Sequence, residues 1–520
     1  MGNEERNERP DACQGDTCAR KGPVTMMTRV TAILTAALLV CAPCLADVHE
    51  VATAEGLAAA VEAAVPGDEI VLADGEWLDA ELDLTCSGTA EAPITIRPRT
   101  PGGLTLTGAS WVRLSGSHLV LLGLRMYGGA REVADDGVER QQSAAPIDIH
   151  GDHCRVTECA IIDYNPVGRE HRYMWVVIRG VGNRVDHCYF RGQDHSGVTL
   201  VVNVERGQPN EALVDHNHFA GKPPLGANGG ETIRIGSSYS SVYNSHTTVA
   251  SNLFENCDGE IEIISNKSCE NTYRHNTFRE SAGELTLRHG DRCVVDGNFF
   301  MCNNYPGARG VRIIGRDHRV VNNYIHEPAS YGIVFQEGIV DTALSGYTQV
   351  RRALIAFNTI VAAQGDPVWM GRSSQYSEDR PLLPTESFFA NNLLVAPGGS
   401  VFARVHGPGE IEWAGNIAWG EELGMDERDG IAWTDPMLVE GEGGVLQPGP
   451  DSPAVGAAAG GYEYDSPSEL NWMLANVTHD IHGRPRDAEN ADVGCVEVSS
   501  EEPIIHRPLS AADVGPRWMR

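Results

Sequence analysis

Asn252–Phe300 reads NLFENCDGEIEIISNKSCENTYRHNTFRESAGELTLRHGDRCVVDGNFF, and its frame is one short string, Asn252-Leu253-Phe254, that returns as Asn276-Thr277-Phe278 and Asn298-Phe299-Phe300. Working outward, Asn followed two residues later by an aromatic or aliphatic side chain recurs at Asn217, Asn323, Asn358, Asn392 and Asn416, and upstream Cys159 and Cys188 take the place of the Asn. The successive intervals are 29, 29, 35, 24, 22, 25, 35, 34 and 24 residues. A unit of 22 to 25 residues with loop insertions fits one turn of a parallel β-helix, in which each coil is too thin to bury its own apolar face and stacking supplies the core. Coils then lie ~4.8 Å apart, so a column of Asn can bond from coil to coil, and Asn also tolerates the left-handed backbone of a tight turn. Leucine-rich repeats and propellers are the rival periodic folds, but the sequence has neither consensus leucines nor a Trp-Asp blade signature. The fold expected is therefore all-β: a single-stranded parallel β-helix.

The rest of the chain fits that frame. With 57 glycines among 520 residues it has the turn residues that many short strands need. Leu57, Ala60, Val61 and Ala64 fall at helical spacing before Pro66-Gly67, predicting a short helix over residues 54 to 65 that caps the open first coil. Asp and Glu number 71 against 40 Lys and Arg, a net charge of -31, which argues against a nucleic acid or an anionic membrane surface as partner. Arg29, an apolar run from Val30 to Val40 and the small-residue end Cys44-Leu45-Ala46 read as a secretory signal cut near Ala46, implying a secreted or periplasmic protein with no membrane span in the mature chain. The polar residues before Met26 fit no signal and suggest an upstream start codon chosen in error. Residues 1–46 are thus set apart as extension and signal, 47–505 as the β-helix with its closing segment, and 506–520 as an exposed tail. Of 13 cysteines, Cys13, Cys18, Cys41 and Cys44 precede the cut, and the nine that remain, with no CxxC spacing, are expected mostly buried and free.

Chemistry concentrates in Asn228–Gly315, which holds NGGETIRIG, GEIEIISNKS, GELTLRHG and GVRIIG. Each is an alternating segment with the period of a half-buried strand, and in the second Glu260 and Glu262 share one face while Ile261 and Ile263 take the other. Lys267, Arg288 and Arg312 lie 9, 10 and 11 residues before Asn276, Asn298 and Asn323, which predicts nearly one column of cations on consecutive coils. Two outward carboxylates on one strand suit a hard cation with oxygen ligands, calcium above all, and Asn228 and Glu231 one coil earlier can supply further oxygens.

On these motifs the chain from residue 47 to 500 resembles polysaccharide lyase family 6, which includes alginate lyases and chondroitinase B. The resemblance implies a right-handed parallel β-helix that carries out β-elimination on a uronic-acid polymer, with Lys267 in SNKS as base and Arg288 in LRHG as acid or charge stabiliser. It further implies Ca2+ held by Asn228, Glu260 and Glu262, with Glu231 added in the alginate-cleaving members, and substrate contacts from His289 and Arg312. The residue types suit the reaction: a cation on the uronate carboxylate offsets the charge that grows as the C5 proton leaves, and Lys267 can accept that proton if neighbouring guanidiniums favour its neutral form. A guanidinium with a pKa above ~12 is a poor acid, so a relay through water or His289 stays open. The alternatives are a dermatan or chondroitin sulfate lyase, a non-catalytic glycan-binding β-helix, and a glycoside hydrolase, which needs paired carboxylates and no essential Lys. Alginate is favoured among substrates because a sulfated chain calls for more cations than the central stretch offers, Arg274, Arg279 and Arg292 being offset by Glu280, Glu284 and Asp291.

Overall fold

The computed structural model describes residues 46–131, 145–371, 379–403, 406–460, 463–464, 472–473, 477–498, 500 and 502–520; the expected extension and signal through Leu45 lie outside the described residues. Three parallel sheets of 14, 12 and 14 strands run the length of the molecule, and strands three apart in sequence pair within each sheet. One coil is therefore three short strands, such as Thr277–Arg279, Glu284–His289 and Val294–Asp296, before the chain steps up to the next. This is the expected parallel β-helix.

Coil registry is set by what points inward. Asn217, Asn252, Asn276, Asn298, Asn323, Asn358, Asn392 and Asn416 form one continuous ladder, each Nδ2 donating to the next Oδ1 at 2.9 to 3.0 Å. Each Oδ1 also accepts the backbone N–H of the preceding ladder residue, and Cys188 N–H joins the lower end on Asn217. The left-handed residue of this turn is not the Asn, as expected, but the one before it: His216, Ser251, His275, Asn322, Phe357 and Asn391 all have φ of 53 to 55°. The reason is that the residue making the bend projects outward, which frees the next side chain to turn into the core. Beside the ladder, Phe190, Phe219, Phe254, Phe278 and Phe300 stack at 5.1, 5.1, 4.8 and 4.5 Å between ring centroids, about one coil step each.

The predicted cap is the helix Ala54–Ala63, whose buried Leu57, Ala60 and Val61 join the interior cluster at the first coil. At the other end, Val445, Ile481, Cys495 and Val496 cover Phe299, Met301 and Tyr324, and Ala454 and Val493 cover Leu393 and Ile417, so the closing segment seals the apolar outer face of one sheet. Residues 506–520 are not the free tail expected. Leu509 N–H donates to Thr277 Oγ1, Gly515 N–H to His216 O, and Arg517 pairs with Glu158 at 2.6 Å, strapping this segment across several coils. Its apolar residues, Pro508, Val514 and Pro516, explain the difference, since all three are buried in the contact. The nine cysteines among the described residues are buried and unpaired, as expected. No helix among the described residues is long and apolar enough to cross a membrane.

Candidate active site

The site lies on the outward face of the 12-stranded sheet, on the successive strands Ile233–Gly236, Glu262–Lys267, Glu284–His289, Val311–Ile313 and Tyr331–Phe335. A glycine precedes Glu231 and another precedes Glu260, and the backbones touch there: a Cβ on Gly259 would sit 2.1 Å from Gly230 O. Only that close approach lets the two glutamates stand side by side. Two bulges then re-aim the strands. Glu262 pairs with Glu284 but Ile264 with Leu285, leaving Ile263 extra; Asn266 pairs with Leu287 but Lys267 with His289, leaving Arg288 extra. Ile263 does turn inward, opposite Glu262, but Ile264 joins it in the interior cluster, so simple alternation breaks after Ile263.

The expected column of Lys267, Arg288 and Arg312 is likewise corrected. Arg312 is level with Thr286 and Ser265, while Lys267 is level with His289. Counting back from the ladder Asn crosses a corner and a bulge whose lengths change from coil to coil, so equal counts do not mean equal height. The cations surround the carboxylates instead. Lys267 Nζ is 3.7 Å from Glu231 Oε1, and Arg312 reaches Glu262 Oε1 at 3.9 Å and Glu284 Oε1 at 3.6 Å.

Glu231, Glu260 and Glu262 each place a carboxylate oxygen within 4.8 Å of the others. Glu260 Oε2 accepts Gly229 N–H at 3.2 Å and Ser265 Oγ donates to Glu262, yet Glu231 Oε2 and Glu260 Oε1 are buried with no hydrogen-bond partner. Burial first, then the charges of Glu231 and Glu262, push the Glu260 carboxyl up to about 8. Buried, crowded, partly orphaned carboxylate oxygens are what a hard divalent cation would satisfy, so this donor set fits calcium. Asn228 is exposed, one residue before the Gly229 amide that caps Glu260.

Other placements follow from donor chemistry. Arg288 Nη1 lies 3.3 Å from His289 Nδ1, and a guanidinium only donates, so Nδ1 is the acceptor and Nε2–H faces Ser238 Oγ at 3.2 Å. Burial, Arg288 and Lys267 pull the His289 pKa down to about 3, so this ring is neutral and both its nitrogens are engaged. Sequence reasoning missed several groups. Glu284, wholly buried, accepts from Thr286 and Tyr331 and faces Arg312; its Gly283-Glu284 pair repeats the pattern of Gly259-Glu260 and was the available signal. Lys222, also buried, donates to Gln193 Oε1, Gly197 O, Thr199 Oγ1 and Glu231 O at 2.5 to 3.2 Å and so fixes the backbone under the triad. Tyr347, on an insertion between Asn323 and Asn358, has Arg288, Arg312 and Arg380 at 4.2, 5.4 and 4.2 Å from its ring centroid. Arg234 lies near Glu231 and Glu260, where burial and the charge of Arg172 lower its pKa against the pull of those carboxylates. The site is thus richer in cations than the sequence suggested. Arg279 and Arg292, by contrast, are occupied elsewhere, by Leu509 O and Glu270.

A parallel β-helix that carries a carboxylate triad ringed by Lys and Arg on one outer sheet is the class that fold and site together define. The chain belongs to the family described as chondroitinase B, whose model matches residues 51–452, and thereby to polysaccharide lyase family 6. Among solved structures, the family 6 alginate lyase AlyGC is 29% identical with a TM-score of 0.73, the match covering 91% of this chain and 58% of that one. This chain therefore spans under two thirds of that enzyme's length. A mannuronic-acid-specific family 6 lyase from the human gut microbiota is also 29% identical, with a TM-score of 0.64 over 73% of this chain and 92% of that one. A family 6 lyase from Pseudopedobacter saltans shares the fold at 23% identity, with a TM-score of 0.62 over 90% and 99%. No curated protein matches the chain.

Proposed function

We propose that this protein is a secreted, calcium-dependent polysaccharide lyase that cleaves alginate by β-elimination. The observation that carries the reading is Lys267, a single amine on the rim of the carboxylate triad, 3.7 Å from Glu231, with Arg288 on the adjoining strand. In this reading Lys267 takes the C5 proton of a bound uronate, while Arg312 and Arg288 offset the negative charge that the reaction moves toward the oxygen on C4. Calcium held by Glu231, Glu260, Glu262 and Asn228 would neutralise the uronate carboxylate and so make its C5 proton more acidic. His289 orients Arg288, and Lys222 holds the Glu231 backbone in place. Export is supported by the leader-like run ending at Ala46.

Alginate as substrate is supported by two relatives at 29% identity, one an alginate lyase and the other mannuronic-acid specific. A dermatan sulfate reading has its own support in the cations beyond Lys267, Arg288 and Arg312, namely Arg234, Arg172 and Arg380. Initial rates of ultraviolet absorbance by the unsaturated uronate decide the matter, on alginate, its mannuronate-rich and guluronate-rich blocks, and dermatan sulfate, at equal uronate with calcium. An alginate block should be fastest. Faster product on dermatan sulfate overturns the substrate, and absorbance on none of them overturns the lyase.

A further inference from the structure

The turn that follows the strand Ile233–Gly236 is built against the reacting groups. Gly236 is level with Lys267, and a Cβ there would lie 2.6 Å from Lys267 O, so a glycine is needed for the chain to pass that close. Two residues on, Ser238 Oγ faces His289 Nε2 at 3.2 Å. The turn is braced from within, Ser237 N–H donating to Ser240 Oγ at 2.8 Å and Tyr243 N–H to Ser240 O at 3.0 Å. Between Ser238 and Ser240 stands Tyr239, 88% exposed, whereas Tyr164, Tyr273, Tyr324 and Tyr331 are wholly buried. Val242 in the same turn is exposed as well. On the other side of the site Leu344 is exposed too, next to the Ser345 and Gly346 carbonyls that accept from Arg288. Large apolar side chains left in water on both flanks of Lys267 and Arg288 mark a surface that a ligand covers.

We propose that Tyr239 is a stacking platform for the sugar next to the one attacked, and that it selects mannuronate over guluronate along the alginate chain; this rests on the lyase reading above. In the chair of β-D-mannuronate the hydrogens on C1, C3 and C5 stand axial on one face, so that face is apolar and free of axial oxygen. Its C5 epimer, α-L-guluronate, takes the inverted chair, which sets the oxygens on C1 and C3 axial on one face and the oxygen on C4 axial on the other. An aromatic ring packs flat on the first sugar and is held off both faces of the second. The carboxylate is equatorial in both sugars and points away from the negative face of the aromatic ring, so the discrimination comes from the sugar faces alone. The bracing of the turn matters here, because a ring already held in place loses little freedom when the sugar settles on it.

The test compares wild type, Tyr239→Ala and Tyr239→Phe on mannuronate-rich and guluronate-rich blocks with calcium, read by the absorbance of the unsaturated uronate. Wild type should have the higher kcat/KM on the mannuronate-rich block. Tyr239→Ala should raise KM on that block about 2- to 10-fold with kcat little changed and leave the guluronate-rich block near wild type, so the preference shrinks. Tyr239→Phe, which keeps the ring, should keep the preference. An unchanged KM in Tyr239→Ala, an equal loss on both blocks, or a wild-type preference for guluronate overturns the platform and leaves the lyase reading standing. Wild type that produces no unsaturated uronate from either block, or from dermatan sulfate, sinks the lyase reading itself.

Discussion

At the scale of single residues, the site separates groups that do chemistry from groups that hold them. Lys267 is partly open to solvent, its side chain 18% exposed, and its removal should leave the fold intact while costing about 10²- to 10⁴-fold in turnover. Comparing thermal midpoints and initial rates of wild type and Lys267→Ala checks this; more than a tenth of wild-type activity would contradict the role. Glu260 sits among carboxylates that burial and mutual repulsion keep uncomfortable, so Glu260→Gln should weaken calcium binding measured by titration calorimetry, and excess calcium should restore part of the activity. Unchanged affinity would remove Glu260 from the ligand set. Lys267, Arg288 and the glutamates were legible because their motifs are contiguous. Tyr347, Arg380 and Lys222 were not, because each reaches the site from another coil or an insertion.

At the scale of elements, the ladder of asparagines is what converts a loose repeat into stacked coils. Asn276 Oδ1 accepts from Asn252 N–H and Nδ2, and its own Nδ2 donates to Val249 O and Asn298 Oδ1, all within 3.0 Å and all buried. Asn276→Ala orphans several of these partners at once, and at about 1–3 kcal/mol per buried unsatisfied group it should destabilise by about 3 kcal/mol or more. Urea unfolding measures this, and a loss below about 1 kcal/mol would mean that relaxation or water replaces the ladder. The repeat itself was plain in the sequence, since the Asn and Phe recur at fixed spacing. The bulges at Ile263 and Arg288 were not, because a one-residue slip leaves the hydrophobic pattern almost unchanged while it turns the following side chains to the other face.

At the scale of the whole molecule, two expectations concern stability. Burial holds His195 near 4, and burial with neighbouring cations holds His289 near 3, both below the ordinary 6.5. The unfolded chain therefore binds protons there that the folded chain refuses, so the stability these rings contribute is fully present above pH 6.5 and falls as pH drops toward 4, by at most about 1.4 kcal/mol per pH unit for each ring, while the raised Glu260 carboxyl works in the opposite direction. Denaturant unfolding of wild type and His195→Gln at pH 7 and pH 5 isolates the ring, and the variant should lose less stability between the two than wild type; the same pH dependence in both would refute the assignment. The terminal strap joins Arg517 to Glu158, Gly515 to His216 and Leu509 to Thr277, and Trp518 Nε1 also donates to Glu158 O. Deleting residues 506–520 should lower the melting temperature without abolishing lyase activity, since none of these contacts touches the carboxylate triad. An unchanged melting temperature would make the strap a passive cover.

The sequence by itself determined the solenoid, its coil length, the ladder and the chemistry-bearing motifs, because a repeat fold is built from nearest-neighbour contacts and each coil carries its own copy of the pattern. Only the tertiary structure decided the arrangement within the site. Whether Lys267 stands level with Arg288 or with His289 depends on bulges between coils, and whether Tyr347 faces Arg288 depends on how a loop insertion folds back over the sheet. It likewise decided that the last residues bind the body, since a segment of polar and apolar residues without repeat carries no periodic signal until its partners, Glu158 and Thr277, are set beside it in space.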